Sequence, residues 1–257
     1  MKRVLTALIL VPLVVWVVFW ANYWVFLAVV ATVACLCWSE YDAIAGAYGF
    51  GRPGILGYGV GLTILAWWDV HWLAVVAFAV FVLMLALREA DLARALPRAA
   101  LLVTGVIYVF GCWKCALPLR ETYSPHWLMY ALMLNWVGDI GAYYVGKPFG
   151  RRKLAPVVSP NKSWEGAAAS VATSVLVGGF YLRNALPAVP LVHVLVLTAA
   201  ANIAGQLGDL AESAMKRGAN VKDSGTILPG HGGFLDRVDS TLFALPLIYG
   251  YLLLFPQ

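Results

Sequence analysis

Charge is scarce in this sequence. Only 12% of its 257 residues are Asp, Glu, Lys or Arg, while 62% are hydrophobic, against about a quarter charged in soluble globular domains. So little charge cannot clothe a water-soluble domain of this size, which excludes the soluble enzyme classes. Cysteine is sparse too, with Cys35, Cys37, Cys112 and Cys115 all lying in apolar blocks. The spacing Cys112-Trp-Lys-Cys115 has the form of a redox or metal motif, but no second Cys-x-x-Cys pair or neighbouring histidine completes a zinc site. There is no nucleophile elbow and no Walker loop, which argues against hydrolase and ATP-driven functions. The net charge of +5 speaks for topology and an anionic lipid surface, and gives no argument for nucleic-acid binding.

Long apolar runs are what the chain has in abundance. A spanning helix needs roughly 20 apolar residues, and blocks of this kind recur near 4–20, 24–38, 55–69, 71–88, 99–117, 127–146, 165–182, 190–212 and 240–255. The expected fold is all-α, a polytopic integral membrane protein with about nine transmembrane helices, because backbone groups in hydrocarbon must be satisfied within their own segment. Met1-Lys2-Arg3 before the first run reads as the start of an uncleaved helix, since no small-x-small cleavage site ends that run. The charged stretch 88–98, READLARALPR, reads as a short segment along the membrane interface. Residues 1–125 are expected to be transmembrane scaffold, and 126–257 the region that carries chemistry. With a cytoplasmic N-terminus, most Lys and Arg fall on the cytoplasmic side, including those of loops 147–164 and 214–239. Arg120 and Arg183 remain opposite, and Lys114 stands inside a span. The expected location is the inner (plasma) membrane, with both loops facing the cytoplasm.

The polar residues concentrate between Ser213 and Asp239, SAMKRGANVKDSGTILPGHGGFLDRVD. Asp236 and Asp239 are three apart, the spacing of one side of a helical turn, from which carboxylates can share a divalent cation that prefers hard oxygen ligands. Lys216, Arg217, Lys222 and Arg237 suit phosphate oxygens. Gly230, Gly232 and Gly233 flank His231, and lacking Cβ atoms they let backbone N–H groups approach an anion. His231 can donate to a phosphate or carry a proton.

Upstream, Asn202, Gln206, Asp209, Glu212, Ser213 and Lys216 recur at helical spacing, so the eighth block has a polar face that cannot look at lipid. That face is either a helix-helix hydrogen-bond seam or part of a metal site with Asp209 as ligand. Asp139 stands where the sixth block runs into its Gly-rich end, GDIGAYYVGK, and has either a basic loop residue or a substrate as its partner. The loop that follows carries Lys147, Lys153, Ser159, Lys162, Ser163 and Glu165 and leads into the next helix, whose N-terminus attracts phosphate. His71, His126 and His193 lie near span ends and receive no role.

The run Ser213, Lys216, Arg217, Lys222, Asp223, Leu228, Pro229, Gly230, His231, Gly232, Gly233, Phe234, Asp236, Arg237 and Asp239 resembles the signature of the bacterial phosphatidate cytidylyltransferase, or CDP-diacylglycerol synthase, family. The segment Ser159-Pro160-Asn161-Lys162-Ser163-Trp164-Glu165-Gly166 is similar to the family's second block, with Asn161 and Ser163 where Lys and Thr are commoner. The resemblance implies transfer of a cytidylyl group from CTP to phosphatidate, giving CDP-diacylglycerol and pyrophosphate for phospholipid biosynthesis. It implies Mg²⁺ on Asp209, Asp236 and Asp239, and catalytic roles for Lys216, Arg217, Lys222, His231 and Arg237. Substrate binding would fall to Asp139, Lys153, Ser159, Lys162, Ser163, Glu165, Ser213, Asp223, Gly232 and Gly233. A monovalent cation such as K⁺ and a homodimer are further implications. Two other readings stand beside it: an ion- or proton-coupled transporter using Asp139, Asp209 and Glu212, and a CTP-dependent enzyme acting on another lipid.

Overall fold

The structure, a computed structural model, describes residues 2–67, 72–227 and 232–255, with the backbone alone for residues 2–7, 9 and 72. Leu228, Pro229, Gly230 and His231 of the signature therefore lie outside the described residues, as does His71. Each apolar block coincides with a helix: α1 Lys2–Phe19, α2 Tyr23–Ala47, α3 Ile55–Ala66, α4 Trp72–Ala86 and α5 Leu92–Tyr123. The chain continues through α6 Pro125–Phe149, α7 Trp164–Ala185, α8 Leu191–Gly218 and α9 Asp239–Leu254. Among the described residues four helices, α2, α5, α7 and α8, are long and apolar enough to cross a membrane. Trp24, Leu176, Phe180 and Leu254 are between 72% and 77% exposed, an apolar exterior that lipid tolerates and water does not. The chain is a helical membrane protein.

Three expectations change. Helix α2 does not stop at residue 38 but runs on through Ser39, Glu40, Tyr41 and Asp42, because both acids find donors: Asp42 Oδ1 accepts from the Gly54 N–H at 2.6 Å, and the partners of Glu40 are described below. The stretch 88–98 is not a segment apart from the span that follows it. Asp91 caps α5 by accepting from the Ala93 N–H (3.1 Å), and residues 92–98 are the first turns of a helix that continues, through π-helical turns at Ile107–Gly111 and Leu119–Tyr123, beyond the expected end at 117. The loop 147–164 is not purely a loop either, since Lys153–Ala155 (β1) and Ser159–Ser163 (β2) form an antiparallel hairpin with Lys153 opposite Ser163.

Two compact units interleave along the chain, each drawing on residues from both sides of position 125. The first comprises Met1–Tyr23, Cys115–Ala214 and Arg237–Gln257. In lipid no hydrophobic drive pulls helices together, so close packing and polar contacts must do it. Gly138 and Gly141 of α6 supply the close packing: a Cβ on Gly138 would come within 2.4 Å of Asn202 Nδ2, and one on Gly141 within 2.1 Å of Thr173 Oγ1. The polar contacts are Tyr130 O–H to Thr198 Oγ1 (2.8 Å), Ser174 O–H to the Leu134 carbonyl (2.7 Å), and Asn202 Nδ2 to Ser170 Oγ and Ser174 Oγ (3.0 and 2.9 Å). Such bonds average about 0.6 kcal/mol each, so they align helices that glycine-mediated contact holds together.

The second unit comprises Trp24–Lys114 and Met215–Asp236. Its centre is Trp38, fully buried, with Phe110 5.7 Å away between ring centroids. Gly57 and Gly61 of α3 seat these rings, since a Cβ on either would fall inside them, at 1.7 Å from Trp38 and 2.1 Å from Phe110. Lys114, awkward as a lysine within a span, donates to the carbonyls of Leu65 (3.1 Å) and Trp67 at the C-terminal end of α3, where a cation meets orphan acceptors and the negative end of the helix dipole. All four cysteines are unbridged thiols.

Candidate active site

In the first unit a cavity of about 560 Å³ opens at the end where α6 finishes and α7 begins. Asn135 and Asp139 reach it from α6, Lys147 from that helix's last turn, Lys153 and Lys162 from the hairpin, Asn202, Gln206 and Asp209 from α8, and Ser240 from α9. The hairpin is held by Glu165, whose carboxylate accepts from the backbone N–H groups of Arg151 and Arg152 (3.2 Å each). Ser163 caps α7, its Oγ accepting from the Gly166 N–H at 3.2 Å. Gly150 permits this closure, because a Cβ there would lie 2.5 Å from Ser163 Oγ.

The polar face of α8 serves two purposes along its length. Asn202 belongs to the seam already described, and Gln206 Nε2 donates to Asn202 Oδ1 (2.7 Å) and the Ala167 carbonyl (3.2 Å). One turn on, Asp209 faces the cavity with Lys162 Nζ 2.5 Å from its Oδ2 and the Ser213 hydroxyl 3.4 Å from its Oδ1. Asp239 opens α9, is 7% exposed, and its Oδ1 accepts from the Ser240 N–H at 2.7 Å. Gly208, the residue before Asp209, backs against it: a Cβ there would come within 2.7 Å of the Asp239 carbonyl oxygen. This unit therefore brings together Asp139, Lys153, Lys162, Ser163 and Asp209, with Asp239 close by. Ser159 pairs with Ala155 in the hairpin and is not among the residues lining the cavity.

Lys216, Arg217, Lys222, Asp223, Gly232, Gly233 and Asp236 belong to the second unit. Asp236 lies in a 3₁₀ turn, Leu235–Arg237, separated from α9 by Val238 with φ −125° and ψ −1°, so Asp236 and Asp239 do not share one helical turn. Asp236 pairs with Lys216 and accepts from the N–H groups of Ser224 (3.1 Å) and Gly233 (2.8 Å). Burial pushes its carboxyl up, but the ammonium and the two N–H groups outweigh that and hold it below the ordinary carboxylate range. Gly232 sits at φ +82°, and the anion that the Gly233 N–H approaches is the protein's own carboxylate. Arg217 Nη1 donates to the Val221 carbonyl (3.0 Å), while Lys222, Asp223 and Arg237 are exposed. Among the described residues no three His, Cys, Asp or Glu side chains stand together as a ready-made metal cage.

One residue in this neighbourhood escapes sequence reading. Glu40 of α2 is 3% exposed and accepts from the Ser224 hydroxyl (2.7 Å), the Phe234 N–H (2.8 Å) and the Leu235 N–H (2.7 Å). The sequence places it two residues beyond the second apolar block, and α2 extends past that block to include it; an acid inside a spanning helix by default marks an interior polar partner.

The chain is 44% identical over 151 residues to the phosphatidate cytidylyltransferase of Bacillus subtilis (strain 168), a match covering 58% of this chain and 56% of the relative. It is 45% identical over 141 residues to the protein of the same name from Staphylococcus saprophyticus, covering 51% of each. A third, from Staphylococcus aureus (strain COL), is 45% identical over 132 residues, covering 48% of this chain and 47% of the relative. The chain thus spans about half the length of the curated relatives it matches. The model of the cytidylyltransferase family, by contrast, matches residues 1–255, so helices, cavity and signature loop all fall within it, and the chain belongs to the cytidylyltransferase family.

Proposed function

We propose that the chain transfers the cytidylyl group of CTP to phosphatidate, giving CDP-diacylglycerol and pyrophosphate. The observation that carries this is the cavity of the first unit, where three lysines and two carboxylates meet in about 560 Å³ within a chain of this family, a size suited to a small-molecule substrate. In the reaction a phosphate oxygen of the lipid forms a bond to the α-phosphorus of CTP as the bond to pyrophosphate breaks. The protein supplies no nucleophile, and its work is to position two anions and offset their charge. Lys147, Lys153 and Lys162 supply positive charge at the cavity, and the start of α7 adds backbone N–H groups at the positive end of a helix dipole. Asn202 and Gln206 are fixed by the helix seam and present amides without losing further side-chain freedom.

Asp139, Asp209, Asn135, Gln206 and Ser240 give the cavity oxygen donors with no sulfur or imidazole among the lining residues, a donor set that fits Mg²⁺. Asp209 already holds one cation, the Lys162 ammonium. Asp209 and Asp239 are the residues of this unit that would hold the metal, and Mg²⁺ commonly takes one or two carboxylates plus substrate phosphates in place of a full protein cage. When bound it supplies Lewis-acid polarisation and offsets phosphate charge.

We further assign about nine spans in the inner (plasma) membrane, a cytoplasmic N-terminus with both loops on that side, a homodimer, and a monovalent cation such as K⁺ beside Mg²⁺. The arginines opposite support the orientation: Arg120 donates from Nε to the Val18 carbonyl (2.7 Å) and from Nη2 to that of Ala21, and Arg183 to that of Pro187 (2.8 Å), all away from the cavity end of the unit. The test is purified protein with phosphatidate, Mg²⁺ and labelled CTP, followed for pyrophosphate and a nucleotidyl lipid. Asp209→Asn should lower the rate by about a hundredfold or more, as for removal of a group that offsets transition-state charge, with part of the loss restored at higher Mg²⁺. A pH-gradient dissipation by the same protein in vesicles, with no lipid product from CTP, would establish a carrier instead.

A further inference from the structure

Glu40 stands in the half of the sequence that reads as scaffold, yet three hydrogen bonds tie it to the signature loop. Its three partners flank the 228–231 segment: Ser224 lies before it, Phe234 and Leu235 after it. The loop is shaped around the carboxylate. A Cβ on Gly225 would lie 2.5 Å from Glu40 Oε1, and one on Gly233 would lie 2.5 Å from Oε2 and 1.9 Å from Ser224 Oγ. Asp236 binds the same two loop ends from its own side, through the N–H groups of Ser224 and Gly233, and the Asp236 N–H in turn reaches Ser224 Oγ at 3.4 Å. The two carboxylates form a clasp with Ser224 between them.

We propose that Glu40 is a positioning residue for the signature loop, fixing both loop ends so that Asp236 and Lys216 keep the pairing seen here. What the loop then does rests on the cytidylyltransferase reading; how it is held does not. Each partner of Glu40 is a donor, so the isosteric amide of Glu40→Gln brings an N–H₂ group against an N–H or O–H and loses at least one bond. Loss of one such charge-assisted bond in a buried network amounts to roughly a ten- to hundredfold change in the opening equilibrium.

The experiment measures amide hydrogen exchange of the 222–236 segment in purified wild type, Glu40→Gln, Glu40→Asp and Ser224→Ala, with kcat and KM for CTP and phosphatidate on the same preparations. In Glu40→Gln, exchange at 232–236 should rise about tenfold or more while exchange in the helices of the first unit stays at the wild-type level, a locality that general destabilisation would not give, and kcat should fall while KM for phosphatidate stays within about twofold. Glu40→Asp should recover part of both. The Glu40→Gln/Ser224→Ala double variant should be worse than Glu40→Gln alone by less than the cost of Ser224→Ala by itself, since the two residues share the bond between them. Wild-type exchange and wild-type kcat in Glu40→Gln would overturn the proposal. If Glu40→Gln does not fold, unchanged exchange in both Glu40→Asp and Ser224→Ala overturns it equally. A wild type that makes no nucleotidyl lipid would defeat the enzymatic reading, and the exchange data would still judge Glu40.

Discussion

At the scale of the residue, glycine separates positions that look alike in sequence. Gly233 has no room for a Cβ, which would sit 1.9 Å from Ser224 Oγ and 2.6 Å from the Gly225 nitrogen, whereas Gly59 in α3 has nothing within 4 Å. Gly233→Ala should therefore destabilise the loop by about 1–3 kcal/mol, as overpacking does, and abolish most of the proposed cytidylyl transfer. Gly59→Ala should be neutral or slightly stabilising, because Ala is the better helix former. Thermal unfolding in detergent alongside the CTP assay checks both, and a Gly233→Ala protein with normal stability and rate would sink the clasp geometry. The signature residues were legible because their spacing is irregular and dense. Glu40 was not, since it meets its partners across 184 to 195 residues of sequence, and no local periodicity reports such a contact.

At the scale of the element, hydropathy located the helices but misjudged where they end. The second block ends at 38, before Glu40 and Asp42, and READLARALPR reads as a segment apart from the span that follows it, because a single sequence does not show which acids are satisfied by tertiary donors. The hairpin was invisible for another reason: strands of 3 and 5 residues are too short to show alternation. Glu165 holds that hairpin through the backbone of Arg151 and Arg152, a role that its place in the Ser159–Gly166 motif does not reveal. Glu165→Gln should therefore speed limited trypsin cleavage after Arg151, Arg152 or Lys153 several-fold, by raising the population of the opened hairpin. Unchanged cleavage, read by mass spectrometry of the fragments, would show that the β1–β2 pairing alone suffices.

At the scale of the whole molecule, topology is the property most open to test. Single cysteines at Val157 and Thr226, both exposed, should react only with reagent added on the cytoplasmic side, and one at Ala188, between α7 and α8, only from the opposite side. Ser224 is a poor probe despite its place in the loop, being 5% exposed and bonded to Glu40. Labelling of Val157 and Thr226 from opposite faces would refute a shared cytoplasmic side. A break near 125 suggested itself because polar residues thicken there, but composition does not show that 215–236 packs with the N-terminal helices. Lys114 has a consequence for biogenesis. A lysine within a span raises the cost of leaving the translocon, by at most about 2.5–3.5 kcal/mol at the span's centre, and the carbonyls that receive this one belong to α3, synthesised earlier. The segment 92–123 should thus enter the bilayer efficiently only when 55–67 is already there to receive it, and Lys114→Leu should free it from that dependence. In an insertion-reporter assay, equal insertion of 92–123 with and without the α3 segment would disprove this order of assembly, in which one span acts as the acceptor for the charge of a later one.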